Sequence, residues 1–222
     1  IQKKRLRTSY IDNYLIHMLP DVPIWQKLLD LGIDRWIAEK KASEEIRKIG
    51  FSFHGNTDNF LKLLDAYPWE FCLVQYNYMD ENTQAGRIGV EAAHERGIPV
   101  LIMEPLRGGL LVRNLPPKAK ALMDGYGKSL TSEPWSPAEW AFRWLWDQES
   151  ITCVLSGMND MDMLKENIRI AETANAGHLS DEQRAFYEKL KEAVREGIPV
   201  SCTGCGYCMP CPYGVNIPGC FH

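Results

Sequence analysis

The strongest constraint on the fold of this chain is an alternation between short, largely apolar segments and stretches with helical periodicity. The apolar segments are Ile11–His17, Ile46–Phe53, Phe71–Tyr76, Pro99–Met103 and Ile151–Leu155. Apolar runs of this length read as strands buried on both faces, the pattern of a parallel sheet covered by helices. Between them, Trp25, Leu28 and Leu29, then Ile33, Trp36 and Ile37, then Phe60, Leu61 and Leu64 fall at helical spacing. Thr57 is expected to cap the helix of Phe60, and the helix of Ile88 to Arg96 is expected to stop at Gly97. Repeated strand–helix units define an α/β fold. A closed (β/α)8 barrel needs eight units and about 250 residues. The pattern therefore fits either a doubly wound sheet or part of a barrel, and periodicity alone leaves that choice open.

Further along, residues 107–135 hold Gly108-Gly109, Pro116-Pro117 and Gly125 and read as a long irregular loop with one short helix. Ser136-Pro137-Ala138-Glu139 has the form of a capping box with Pro at the first helical position. Trp140, Trp144 and Leu145 on that helix read as core residues. A helix marked by Leu164, Ile168 and Ala171 follows. Ser180-Asp181-Glu182-Gln183 opens the last helix, which carries Phe186, Leu190 and Val194.

Composition excludes several classes. The 222 residues are 45% hydrophobic and 24% charged with a net charge of −4, as in a globular protein with one sizeable core. No basic run points to nucleic acid. No apolar run reaches the roughly 18–20 residues of a membrane span. The first residues, Ile1-Gln2-Lys3-Lys4-Arg5-Leu6, read as the end of a helix already under way. The stretch is accordingly expected to be internal to a longer protein. No signal peptide is visible, and a cytoplasmic location is expected.

Near the C-terminus the chain reads Cys202-Thr203-Gly204-Cys205-Gly206-Tyr207-Cys208-Met209-Pro210-Cys211-Pro212. Thiolates three residues apart on a turn of small residues converge on one face of an iron–sulfur cubane, and Gly204 and Gly206 let the backbone wrap it closely. The common bacterial run has three residues between its last two cysteines, where this chain has two. Zinc is the second reading, although a structural zinc site usually draws two of its ligands from a separate knuckle. Disulfides are the third, and the other cysteines of the seven include Cys72 and Cys153, which lie in apolar runs where buried thiols are common. Cys202, Cys205 and Cys208 are the expected ligands of one 4Fe–4S cluster. Cys211 either completes that cluster or serves a second one.

Five segments in order resemble the aldo-keto reductases. Tyr10-Ile11-Asp12-Asn13-Tyr14-Leu15-Ile16-His17 looks like their fourth barrel strand, Gly50-Phe51-Ser52-Phe53-His54-Gly55 like the fifth, and Gln75-Tyr76-Asn77-Tyr78 like the Gln-x-x-Tyr of the sixth. Met103-Glu104-Pro105-Leu106-Arg107-Gly108-Gly109-Leu110 resembles the seventh, and Ser156-Gly157-Met158 with Glu166-Asn167 the eighth strand and the helix after it. The cysteine run is similar to the C-terminal extension of a prokaryotic branch of that superfamily. The resemblance implies a partial (β/α)8 TIM barrel, strands 4–8 with their helices, over residues 1–178. Residues 179–222 would hold a helix and a ferredoxin-like cluster-binding tail.

The resemblance also implies roles. His17 would orient a substrate carbonyl. Ser52 and Gln75 would hold the nicotinamide carboxamide, with Met103 and Leu106 also at the cofactor and Glu166 and Asn167 at the adenine. Departures are visible: Phe53 stands where Asn is usual, Met103 where Tyr is usual, and Met163 where a phosphate-binding Arg is common. NADP is therefore not chosen over NAD. The general-acid Tyr, its Lys and its Asp belong to strands before the one ending at His17. The implied activity is an NAD(P)-linked oxidoreductase for a small carbonyl or alcohol, its cluster exchanging electrons with a redox partner protein. The alternative is a non-catalytic electron-transfer module on a degenerate barrel.

Overall fold

The computed structural model describes residues 1–131, 133–197, 202 and 208–221. After a short helix α1 (Gln2–Leu6), strands and helices alternate: β1 (Ile11–Ile16), α2 (Val22–Asp30), α3 (Ile33–Ala42), β2 (Ile46–Phe53), α4 (Thr57–Leu64), β3 (Phe71–Gln75), α5 (Gly86–Glu95), β4 (Val100–Met103). Then come α6 (Pro117–Leu122), α7 (Pro137–Trp146), β5 (Cys153–Val154), α8 (Met161–Thr173) and α9 (Asp181–Gly197).

All strand pairs are parallel and the sheet order is β1-β2-β3-β4-β5. A doubly wound sheet reverses its strand order at a switch point, whereas a barrel adds each strand beside the last. The order here is that of consecutive barrel strands, so the parallel five-stranded sheet is consistent with part of a barrel.

The chain divides into two compact units. The sheet unit comprises residues 1–76, 80–103 and 150–155, and the helical unit residues 77–79, 104–149 and 156–222. In the sheet unit, Ile49, Phe51, Phe53, Cys72, Val74, Val100 and Ile102 are fully buried on one side of the sheet. Phe51 and Phe53 stack on Phe60 of α4 with ring centroids 5.8 and 4.9 Å apart. The opposite side is less covered: Leu15, Leu73, Leu101 and Met103 are half-buried and Asn13 and Lys48 exposed. β5 is only two residues long, and Cys153, expected to be buried, is exposed on it. Cys72 is buried, and burial pushes its thiol up to about 12.

In the helical unit the core is aromatic. Trp140 packs on Phe186 at 4.8 Å, and the Tyr187 hydroxyl donates to the Trp140 carbonyl at 2.8 Å. The segment 107–135 is more helical than its glycines and prolines suggest. It contains a 3-10 turn at Arg107–Gly109, then α6 running directly into a π-helical turn at Met123–Gly127.

Helix starts follow the side chains that can accept orphan N–H groups. Asp21, Asn56, Ser136, Asp160 and Ser180 each do so. Thr57 is not the cap of α4. Asn56 accepts the Asn59 amide at 2.9 Å, and Thr57 is the first helical residue. At Ser180 the capping box is complete, with the Gln183 side chain accepting the Ser180 amide at 2.9 Å. At Ser136 only half of it forms, because the Glu139 carboxylate turns to Arg143 and Arg169.

Candidate functional site

Strand register decides which side chains meet. Ile16 pairs with Phe51, Ser52 with Leu73, and Gln75 with Met103. Partners in a parallel sheet point to the same side, and side chains alternate along each strand. Phe51 and Phe53 face the helices, so Ser52, Gln75 and Met103 face the other side. His17 follows β1 directly and joins them, its ring reaching Ser52. Four of the predicted residues thus share one face of the sheet at the C-terminal ends of their strands, where barrel enzymes place their chemistry.

Ser52 links two neighbours. Its Oγ accepts the Met18 backbone N–H at 2.8 Å and lies 3.3 Å from Nδ1 of His17. The hydroxyl keeps one hydrogen and one further lone pair, so the direction of the His17 contact follows the tautomer of the ring. In the tautomer that receives the Ser52 hydrogen at Nδ1, Nε2 carries the proton of the exposed ring and can donate to a ligand oxygen. The Leu19 amide also donates to the Ser52 carbonyl at 2.9 Å, which folds the turn after β1 onto the end of β2.

His54, immediately after β2, has its Nδ1 3.1 Å from Oε1 of Gln84. An amide oxygen only accepts, so Nδ1 is the protonated nitrogen of the neutral ring. Gln84 is held for this contact in the left-handed region at φ 56°, and its carbonyl accepts the Thr57 hydroxyl at 2.8 Å. Burial lowers the His54 pKa, the Gln84 bond raises it, and the charge of His17 lowers it, with a net shift downward. Its place directly after β2, two residues beyond Ser52, brings His54 into the neighbourhood of the site. No local sequence signal could have joined His54 to a Gln thirty positions away.

Gln75 is 1% exposed. Its Nε2 donates to Oδ2 of Asp80 at 2.8 Å, while its Oε1 is buried without a hydrogen-bond partner among the described residues. Asp80 is itself 6% exposed, and its loop is closed by the Thr83 hydroxyl and amide, both donating to the Asp80 carbonyl. Sequence reading missed Asp80, which belongs to no motif. Met103 is half-buried at the end of β4.

The remaining predicted residues lie in the helical unit. Leu106 precedes the 3-10 turn, and its carbonyl accepts the amides of Gly109 and Leu111. Asn167 donates through Nδ2 to Ser156 Oγ at 3.0 Å and to the Met158 sulfur at 3.3 Å. Glu166 lines a hollow of about 580 Å³ with Asp160, Met161, Asp162, Met163 and Arg169. Arg169 points its Nη1 and Nη2 at the two oxygens of Glu139, at 3.3 and 2.6 Å. Glu139 is 2% exposed and also accepts from Arg143 Nε at 2.8 Å. The cation of the hollow is therefore already paired with a buried carboxylate, which it shares with Arg143.

Of the predicted cluster ligands, Cys202, Cys208 and Cys211 are described and Cys205 lies outside the described residues. Among the described residues, no three Cys, His, Asp or Glu side chains come together around a point where a metal would sit. Cys208 is exposed and Cys211 half-buried, its carbonyl accepting the Gly214 amide at 3.0 Å. A cavity of about 770 Å³ runs along the outer edge of β1, between α1 and α3, lined by Leu6, Leu15, Leu28, Leu31, Ile33 and Trp36, with His17 at its margin. No helix among the described residues is long and apolar enough to cross a membrane.

The sequence model of the Aldo/keto reductase family matches residues 2–192. Solved structures match over 85% of this chain. An aldo-keto reductase from Bacillus halodurans (holo form) shares 23% identity with a TM-score of 0.64, this chain covering 61% of it. A second, from Klebsiella pneumoniae in complex with NADPH, shares 18% with a TM-score of 0.62 and is also 61% covered. A third, from Brucella melitensis, shares 22% with a TM-score of 0.57 and is 64% covered. The chain thus spans less than two thirds of the length of these structures. No curated protein matches it.

Proposed function

The chain belongs to the aldo/keto reductase family, and from that premise we propose that it forms the carbonyl-orienting and cofactor-binding part of an NAD(P)-linked oxidoreductase acting on small carbonyl or alcohol substrates. The observation that carries this reading is the shared face of His17, Ser52, Gln75 and Met103 at the strand ends. The residues fit a nicotinamide. The buried Oε1 of Gln75, without a partner among the described residues, suits an amide N–H, and Met103 offers a polarizable surface for a ring. When bound, the reduced nicotinamide would supply the hydride.

His17 would donate from Nε2 to the substrate oxygen, in the tautomer in which the Ser52 hydroxyl donates to Nδ1. Ser52 acts chiefly on His17 and reaches a carboxamide only through its remaining lone pair. The proton that completes a reduction would come from the general-acid Tyr that the family resemblance implies. In the helical unit, Leu106 would border the cofactor and Glu166 and Asn167 would receive the adenine. The N–H group of Asn167 is engaged by Ser156 and Met158, so its carbonyl is the end left to accept from the exocyclic amine. The holding of Arg169 by Glu139 and the Met at position 163 favour neither NADP nor NAD.

We further propose that Cys202, Cys205, Cys208 and Cys211 bind a 4Fe–4S cluster that passes electrons to a partner protein in the cytoplasm. The support is their spacing and the intervening glycines. Anaerobically purified full-length protein should contain iron and acid-labile sulfide in equal amounts, lost when the four cysteines are replaced by serine. Zinc without sulfide would overturn this.

The test of the main reading is titration of the full-length protein with NADH and NADPH. Saturable binding that weakens about tenfold on Gln75→Leu supports it. Absence of binding to either would favour the second reading, an electron-transfer module without a cofactor site, which the pairing of Arg169 with Glu139 motivates.

A further inference from the structure

Gln75 and Asp80 form a pair that the reductase reading does not require. Both are buried, the contact between them is 2.8 Å, and the far end of the Gln75 amide faces no partner among the described residues. A buried glutamine amide has two ends of nearly the same shape and opposite chemistry, and what lies beside it decides which way it points. A carboxylate only accepts. Beside Asp80, therefore, the NH2 end of Gln75 must turn toward the acid, and Oε1 must turn away from it. A neutral amide or a hydroxyl at position 80 would pair with either end and leave the orientation undetermined. Asp80 has a fixed place from which to act, since Thr83 holds its carbonyl through both backbone and hydroxyl. The acceptor that results is shielded from bulk solvent and has no partner among the described residues, a state that costs stability unless a donor arrives.

Resting on the reading that this face binds a nicotinamide, we propose that Asp80 is a positioning residue which, by holding the Gln75 amide by its N–H, presents Oε1 as the acceptor for the N–H of the cofactor carboxamide. The pair thereby reads the chemical identity of the group on the pyridine ring. An amide with a donor hydrogen is matched. A methyl ketone in its place leaves Oε1 buried and unpaired.

The test uses binding without turnover. The full-length protein is titrated with oxidised NAD and NADP and with their 3-acetylpyridine analogues, which keep the carbonyl and lack the NH2 group, following the fluorescence of its tryptophans. The wild type should prefer the carboxamide forms about tenfold. Asp80→Leu should lose that preference, bringing the ratio close to one. Asp80→Asn keeps an acceptor and no longer forbids the flipped amide, so its ratio should fall between the two. A purely structural role for Asp80 would weaken both ligands alike and leave the ratio unchanged, which would overturn the proposal. So would a wild type that does not distinguish the analogues, the result expected if a buried water serves Oε1. If Asp80→Leu does not fold, the ratio for Asp80→Asn decides: reduced supports the proposal and unchanged overturns it. A wild type that binds no dinucleotide removes the reductase reading and this inference with it, an outcome distinct from binding without discrimination.

Discussion

The hydroxyl of Ser52 lies 3.3 Å from Nδ1 of His17 while its oxygen accepts the Met18 amide at 2.8 Å. A residue expected to touch the cofactor thus acts first on the neighbouring imidazole. Replacing it removes the constraint on the tautomer and leaves the Met18 N–H without its partner. For Ser52→Ala, nitrogen NMR should show His17 moving from a predominantly Nε2-protonated ring toward a mixture. Turnover of the full-length enzyme should fall about tenfold or more, the value of one oriented hydrogen bond. An unchanged tautomer would refute the assignment.

The depressed pKa of His54 has a definite sign in stability. Its folded value lies below the ordinary 6.5, so between the two values the unfolded chain binds more protons. Stability should therefore rise with pH through that window and level off above about 6.5. It should fall as the pH drops toward the folded value. Denaturant midpoints measured from pH 5 to 8 should show this slope, and His54→Asn should flatten it. Proton NMR of the His54 ring gives the folded value directly.

Glu139 is a buried carboxylate serving two guanidinium groups, one largely buried and one half-exposed. Removing the acid strands Arg143 in a poorly hydrated place. Glu139→Ala is expected to cost about 3–5 kcal/mol in chemical denaturation. Arg169→Met should cost about 1 kcal/mol or less, because its side chain is 53% exposed. Equal losses from the two variants would contradict the burial argument.

Gly50 allows β2 and β3 their close approach. A methyl there would lie 2.4 Å from the Phe71 carbonyl oxygen and 2.8 Å from its ring. The near atom is backbone and cannot swing aside. Gly50→Ala should destabilise by about 3 kcal/mol or more, read as a drop in the denaturation midpoint. Retained stability would mean that the strands part more easily than their packing indicates.

The parts of this architecture that were legible in the sequence are those set by neighbours in the chain. The apolar runs marked all the strands, and Ser136 and Ser180 marked the starts of α7 and α9. At α4 the reading slipped by one residue, since Asn56 and Thr57 are both good caps and only Asn56 has extended backbone with a free reach to the third amide on. Residues 107–135 carry the one short helix expected of them, α6, and continue it through a π-helical turn, because Pro117 and Gly127 stand at helix ends, where breakers are tolerated. Gln75 was visible as a polar residue at the end of an apolar strand. Its hold on Asp80, the Gln84 contact of His54 and the capture of Arg169 by Glu139 were not. Each joins residues through space at separations where no local periodicity operates.

The alternation that seals Phe51 and Phe53 against α4 is the same one that turns Ser52 to the opposite side. The hydrophobic core and the proposed cofactor face are written on interleaved positions of one strand. A slip of β2 by a single residue would send a serine into the helix layer and two phenylalanines into the mouth. Neither set can drift without the other. Whatever preserves the packing of the strand thereby also preserves the placement of Ser52 beside His17, so the geometry of this face is insured by the core behind it.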